Sequence, residues 1–273
     1  MSAPFAEVIG DPVAQTRSPQ IHRHWLAALG LDGDYRATRV ERGELASFLA
    51  RRRVDSEWRG CNVTIPHKQA VLPLLDAIDA GAAAIGAVNC VVPRPDGLVG
   101  CNSDVDGVAA ALAGAAIEGR KAALIGSGGG ARAALRHLLD AGAAQVSVLV
   151  RSPSRAARLA AERVRILPFE RFDAALEGAS AIVNATPLGM AGAPPMPGPL
   201  IASVRRHSAG ATLLDMVYAP LDTAFLAAGR AGGGTPVDGL VMLVGQARAA
   251  FRLLFGEDSP PGDDSVRALL ARD

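Results

Sequence analysis

Cysteine is scarce. Cys61, Cys90 and Cys101 are the three in 273 residues, and none stands in a C-x-x-C spacing. An odd count with no paired spacing argues against a disulfide framework and suits a reducing compartment, each thiol being expected as a small buried side chain. Spacing that would hold a metal is also lacking. No apolar run approaches the roughly 20 residues of a bilayer span. Residues 1–10 have no basic segment followed by a long apolar one, so no secretory signal is read and a cytoplasmic location is expected. Charge of one sign is not in excess: 28 Lys and Arg stand against 27 Asp and Glu, a net +1, with no long basic run. That argues against nucleic acid or an anionic membrane as the main partner. Lysine is nearly absent, represented by Lys68 and Lys121 alone, so a lysine inside a polar motif carries weight.

What is abundant is apolar and small. The chain is 49% hydrophobic and holds 30 glycines, enough for two domains each with its own core. The organising stretch is Gly126-Ser127-Gly128-Gly129-Gly130-Ala131. It follows the apolar run 122–125, read as a buried parallel strand, and precedes Ala134, Leu135, Leu138 and Leu139 at helical spacing. A strand, a glycine turn and a helix N-terminus form a cradle for a pyrophosphate, because unpaired N–H groups and a partial positive charge point at the ligand. The next strand, 145–150, ends in Val150-Arg151-Ser152-Pro153-Ser154-Arg155, where NAD sites place an acid for the ribose hydroxyl. Two arginines and two hydroxyls suit a 2′-phosphate instead, so NADP is expected. Arg158 and Arg163 are read as solvated charges.

The first half alternates strands and helices. Ser18 before Pro19 reads as a helix start, with Ser18 either a cap or a hydroxyl for a carboxylate. In 59–68, Cys61, Val63 and Ile65 alternate with Asn62 and Thr64, which puts the two polar residues on one strand face. Pro66 is expected to start a helix carrying Val71, Leu72 and Leu75, with Lys68 in its first turn. A cation there opposes the helix dipole, so the placement is read either as functional or as a solvated surface lysine. His67 receives no role. Asn89 is expected on an apolar strand, where a bound polyol would satisfy its amide. Pro93 to Gly97 reads as a hairpin turn. Ser103 or Asp104 either caps the following helix or does chemistry, and the domain boundary is expected near 104 or within the following helix. Further strands at 181–186, 212–216 and 235–238 alternate with helices, which indicates an α/β fold with a parallel sheet wound on both faces. A nicotinamide needs a proton carrier beside it, and Lys68 with Asp104 are the candidates.

Ser18-Pro19, Asn62 to Lys68, Ala87-Val88-Asn89 and Asn102-Ser103-Asp104 resemble the motifs of shikimate dehydrogenases. So do Gly126 to Ala131, Asn184-Ala185-Thr186, Asp215 to Tyr218 and Asp238-Gly239-Leu240, all in order over nearly the whole chain. The resemblance implies NADPH-dependent reduction of 3-dehydroshikimate to shikimate, in the pathway to aromatic amino acids. It implies an N-terminal α/β substrate domain (1–104, with helices from about 240 to 273 packing back on it), a Rossmann-type NADP-binding domain (105–239), and a cleft between them. Lys68 and Asp104 would be the catalytic pair. Thr16, Ser18 and Tyr218 would hold the carboxylate, and Asn62, Thr64, Asn89 and Gln246 the ring hydroxyls or neighbouring groups. Gly126, Ser127, Gly128, Gly129 and Gly130 would cradle the pyrophosphate, with Val150, Arg151, Ser152 and Arg155 around the adenosine phosphate. Ala185, Thr186, Met216 and Gly239 would serve the cofactor from the other strands. Thr16 in place of serine, Val150 in place of asparagine and the loop Gly-Ser-Gly-Gly-Gly depart from the family pattern. Quinate or quinate/shikimate dehydrogenase is the near alternative, and a non-catalytic NADPH-sensing protein the distant one. The state expected in solution is a monomer or homodimer.

Overall fold

A computed structural model describes residues 3–270. The chain forms two compact units. One runs to Ser103 and takes up the chain again from Gln246; the other is Asp104–Gly245.

The first unit contains β1 (Phe5–Gly10), α1 (Ser18–Leu29), β2 (Asp34–Arg39), α2 (Leu45–Arg52), β3 (Trp58–Val63), β4 (Ala77–Ile78), α3 (Ala80–Ile85), β5 (Cys90–Arg94) and β6 (Gly97–Cys101). Its sheet runs β2-β1-β3-β5-β6-β4. β1 is parallel to β2 and β3, whereas β5 is antiparallel to β3 and to β6. The C-terminal ends of β1 and β3 therefore lie on the same sheet edge as the start of β5 and the end of β6. Both faces are packed: Ile9, Phe48, Trp58, Cys61 and Val63 on one, Ala6, Val8, Tyr35, Cys90 and Leu254 on the other. Burial pushes all three thiols above their ordinary pKa.

The second unit opens with α4 (Asp104–Ala111). It continues through β7 (Lys121–Ile125), α5 (Gly129–Asp140), β8 (Gln145–Val150), α6 (Pro153–Ala156), β9 (Val164–Pro168) and α7 (Phe172–Leu176). After β10 (Ala179–Asn184) come α8 (Gly198–His207), β11 (Thr212–Asp215), α9 (Ala224–Ala231) and β12 (Thr235–Val237). The sheet order is β12-β11-β10-β7-β8-β9 with every pairing parallel. That is the doubly wound dinucleotide-binding order, and its topological switch falls between β7 and β10. Ala122, Leu124, Val146 and Val148 pack on one face, and Ala123, Ile125, Leu149 and Ile182 on the other. Burial on both sides explains why these strands read as continuous apolar runs. The helix α10 (Gly239–Phe255) passes from this unit into the first, which also holds α11 (Asp264–Leu270). Gly245 approaches α4 closely: a Cβ there would lie 3.1 Å from the Gly107 Cα.

Three local expectations change. Residues 66–71 form turns rather than a helix, and the following helical piece is only the single 3-10 turn Leu72–Leu74. Pro73 denies that stretch a backbone donor, and the His67 ring instead ties it to β2's end by an Nε2 hydrogen bond of 2.6 Å to the Val40 carbonyl. Lys68 thus sits on a turn. Ser18 does not cap α1: the N-cap is Arg17, with no side-chain cap bond. Asn89 occupies a bend just before β5 rather than the strand itself.

His22 on α1 is fully buried, its ring stacked on Tyr35 at 4.1 Å and its two nitrogens without hydrogen-bond partners. Burial pushes its pKa from 6.5 down to about 3. Between those values the unfolded chain binds a proton that the folded chain refuses. Stability is therefore complete above pH 6.5 and falls on acidification, at about 1.4 kcal/mol per pH unit. Urea unfolding at pH 7 and pH 5 should differ by about 2 kcal/mol from this group, and His22→Leu should remove that difference. An unchanged pH dependence in the variant would clear His22 of the effect.

Candidate active site

In the first unit, the residues expected to hold substrate gather at the shared sheet edge. Thr64 follows β3 and donates its N–H to the Ile9 carbonyl at 2.9 Å. Asn62, buried at 7% exposure, donates from Nδ2 to the Asn89 carbonyl at 3.1 Å and accepts at Oδ1 from the Tyr35 hydroxyl at 2.6 Å. Asn89 accepts at Oδ1 from the Ser103 N–H at 2.7 Å and donates from Nδ2 to the Ser103 hydroxyl at 3.0 Å. The protein therefore supplies much of what a bound polyol was expected to give this amide. Thr16 donates to the Ser18 hydroxyl at 3.2 Å, and the Ser18 N–H donates back to Thr16 Oγ1 at 3.3 Å. The half-buried Lys68 is tied to the same edge by its carbonyl, which accepts from the Val88 N–H at 2.8 Å. Gln246, half-buried on α10, belongs to this unit.

Asp104, Tyr218 and the cofactor candidates belong to the second unit. Asp104 is the first residue of α4 and 5% exposed. The glycine loop sits at the C-terminal end of β7. Gly126 has φ +118° and donates its N–H to the Leu149 carbonyl of β8 at 2.9 Å; a side chain on it would press to 3.0 Å of the Ala185 carbonyl. Gly128 is the N-cap of α5, with nothing within 4 Å of the space its Cβ would fill. The helix has no acid in its first turn. A Cβ on Gly130 would lie 3.1 Å from Met216 Sδ, and one on Gly239 would meet the Met216 carbonyl carbon at 2.9 Å. Gly126 to Gly130, Ala185, Thr186, Met216 and Gly239 are thus brought to one edge. The residues fit a dinucleotide: an open glycine cradle at a helix N-terminus, flanked by Arg151, which is exposed past β8. Ser152 Oγ lies 3.3 Å from Ser154 Oγ. Val150 points elsewhere, being 3% exposed and packed in the core, so only its backbone can face an adenosine. The Arg155 side chain lies outside the described residues.

A buried network holds the switch-point loops. Asn184 donates from Nδ2 to Asp215 Oδ1 at 2.9 Å and accepts at Oδ1 from the Thr186 N–H and hydroxyl. Asp215 also accepts from the Thr223 hydroxyl at 2.7 Å and the Val217 N–H at 3.0 Å. Burial raises the Asp215 pKa, and these hydrogen bonds oppose the rise. Sequence reading gave Asp215 and Thr223 no separate role, because a carboxylate that steadies a loop leaves no spacing signature.

Two family models match: the shikimate dehydrogenase substrate binding domain over residues 8–91, and shikimate / quinate 5-dehydrogenase over residues 108–189. A curated relative from Sphingopyxis alaskensis, named shikimate dehydrogenase (NADP(+)), is 47% identical over 98% of this chain and 97% of that protein. The chain belongs to the shikimate dehydrogenase family. Among solved structures, the shikimate 5-dehydrogenase of Thermus thermophilus, in complex with NADP(H) and shikimate, superposes with a TM-score of 0.83. It is 35% identical, covering 98% of this chain and 99% of that one. The quinate dehydrogenase of Corynebacterium glutamicum, in complex with NAD, also gives 0.83, at 29% identity over 99% of each chain. One unit thus carries a polar strand-end cluster and the other a glycine cradle.

Proposed function

We propose that the chain catalyses the reversible NADPH-dependent reduction of 3-dehydroshikimate to shikimate, in aromatic amino acid (chorismate) biosynthesis. The observation that carries this reading is the end of β8. Arg151 and Ser152 stand there with no acid, in a chain whose 47% identical relative is named for NADP(+). A cation beside hydroxyls recognises a 2′-phosphate, where a carboxylate would repel it.

Residues 1–104, with the helices from about 240, form the substrate side, and residues 105–239 the cofactor side. Thr16, Ser18 and Tyr218 hold the ring carboxylate, and Asn62, Thr64, Asn89 and Gln246 orient the hydroxyls and their neighbours. Gly126 to Gly130, with Ala185 and Thr186, take the pyrophosphate side of the cofactor. Met216 and Gly239 flank the nicotinamide, and Arg151, Ser152 and Arg155 with the Val150 backbone take the adenosine end. Bound NADPH supplies the hydride. Lys68 delivers a proton to the substrate oxygen as it becomes a hydroxyl, is reprotonated from solvent, and takes the proton up in the reverse direction, while Asp104 accepts a hydrogen bond from that hydroxyl.

Among the described residues no helix is long and apolar enough to cross a membrane. The three cysteines are free thiols, which supports a cytoplasmic location. Near-zero net charge supports small molecules, rather than nucleic acid or membrane, as the partners, with the chain a monomer or homodimer. Initial rates with shikimate and with quinate, each with NADP+ and NAD+, test the reading. Shikimate with NADP+ should have the highest kcat/KM of the four pairs; a higher value for quinate with NAD+ overturns it.

A further inference from the structure

Tyr35 is the member of the substrate-side cluster that the reaction leaves without a task. It sits on β2 in register with Ala6 of β1, while Asn62 on β3 is in register with Val8. Ala6 and Val8 share a face of β1, so Tyr35 and Asn62 stand on the same face of the sheet with β1 between them. The small Ala6 side chain on the intervening strand leaves room for the phenol to cross. The ring is held by its stack on His22, at 4.1 Å and 5° between planes. It is 0% exposed, so it reaches no solvent of its own.

We infer that Tyr35 is a positioning residue, its hydroxyl fixing the Asn62 amide so that Asn62 meets a ligand only as a hydrogen-bond donor. The inference rests on the assignment of Asn62 to the substrate. Two contacts settle the amide's orientation. The Asn89 carbonyl can only accept, so the group facing it at 3.1 Å is Nδ2. Oδ1 then faces Tyr35 at 2.6 Å, and the phenol must be the donor. Asn62 has its carbonyl oxygen engaged and one amide hydrogen committed, which leaves the second hydrogen for an oxygen lone pair on the ligand. Burial raises the Tyr35 pKa well above its usual value, so the donor stays protonated. A chain of hydrogen bonds thus runs from Tyr35 through Asn62 and Asn89 to Ser103. Without the phenol hydroxyl, Asn62 Oδ1 is a buried acceptor with no donor, and the amide gains by turning away from its productive orientation.

Tyr35→Phe keeps the ring and its stack and removes only the hydroxyl. Steady-state kinetics of wild type, Tyr35→Phe, Asn62→Ala and the double variant should show the KM for shikimate raised about tenfold in Tyr35→Phe, the loss of one buried hydrogen bond. Its kcat should stay within about threefold and its KM for NADP+ should be unchanged. In the Asn62→Ala background, Tyr35→Phe should add nothing to the shikimate KM. A general packing defect would instead move both KM values together, or multiply independently with Asn62→Ala, and either result overturns the inference. So does a wild-type shikimate KM in Tyr35→Phe. If that variant does not fold, Asn62→Asp decides: it keeps an oxygen for the phenol but offers the ligand a second acceptor, and a wild-type shikimate KM there overturns the inference. An inactive wild type faults the functional reading itself, not Tyr35.

Discussion

Replacing Lys68 by alanine should lower kcat for shikimate oxidation roughly a thousandfold while leaving NADP+ affinity intact, the usual worth of a positioned proton carrier. The lysine stands on the turn after β3, tied through its carbonyl to Val88 next to Asn89. The turn that carries it is anchored independently, by His67 Nε2 on the Val40 carbonyl at 2.6 Å and by the Val71 N–H on the His67 carbonyl at 2.9 Å. Removing the Lys68 ammonium therefore leaves its scaffold standing, so the melting temperature should hold. The glycine cradle, in the other unit, should bind dinucleotide as before. Steady-state rates together with a fluorescence titration of NADPH separate the two quantities. A kcat within tenfold of wild type would remove Lys68 from the chemistry.

The second large effect concerns cofactor choice. Arg151→Ala should raise the KM for NADP+ about a hundredfold and leave that for NAD+ nearly unchanged. A charge-assisted bond to a phosphate contributes about 1.5–3 kcal/mol, and NAD+ offers no such phosphate. The side chain is exposed just past the core-packed Val150, so its loss disturbs no packing. The ratio of kcat/KM for the two cofactors is the readout. An unchanged ratio would move recognition of the 2′-phosphate away from the end of β8.

The dinucleotide half was legible because its signals are local. A glycine at φ +118°, an apolar strand before it and a helix after it are dictated within a dozen residues. The same holds for the absence of an acid after Val150. Misreadings arose where a distant partner decides. Val71, Leu72 and Leu75 have helical spacing, yet their apolar side chains serve the first unit's core from turns. Ser18 has every local mark of a helix cap, but its hydroxyl accepts from Thr16 instead. Asn89 meets Ser103 only because the β5–β6 hairpin returns the chain to it. Tyr35 lies in the polar stretch DYRATR, and nothing in that segment announces that its ring is buried beneath a bundled histidine while its neighbours face water.

The clasp of Asn62 on Asn89 and of Asn89 on Ser103 has a consequence for discrimination. Side chains pinned in this way have little rotamer entropy left to surrender, so in the role proposed for them they would meet a hydroxylated ring already preorganised. The same rigidity penalises a deoxy analogue. In the proposed role of Asn62, a pinned amide would not swing to a substitute acceptor, and a ligand lacking the matching hydroxyl would strand its second N–H.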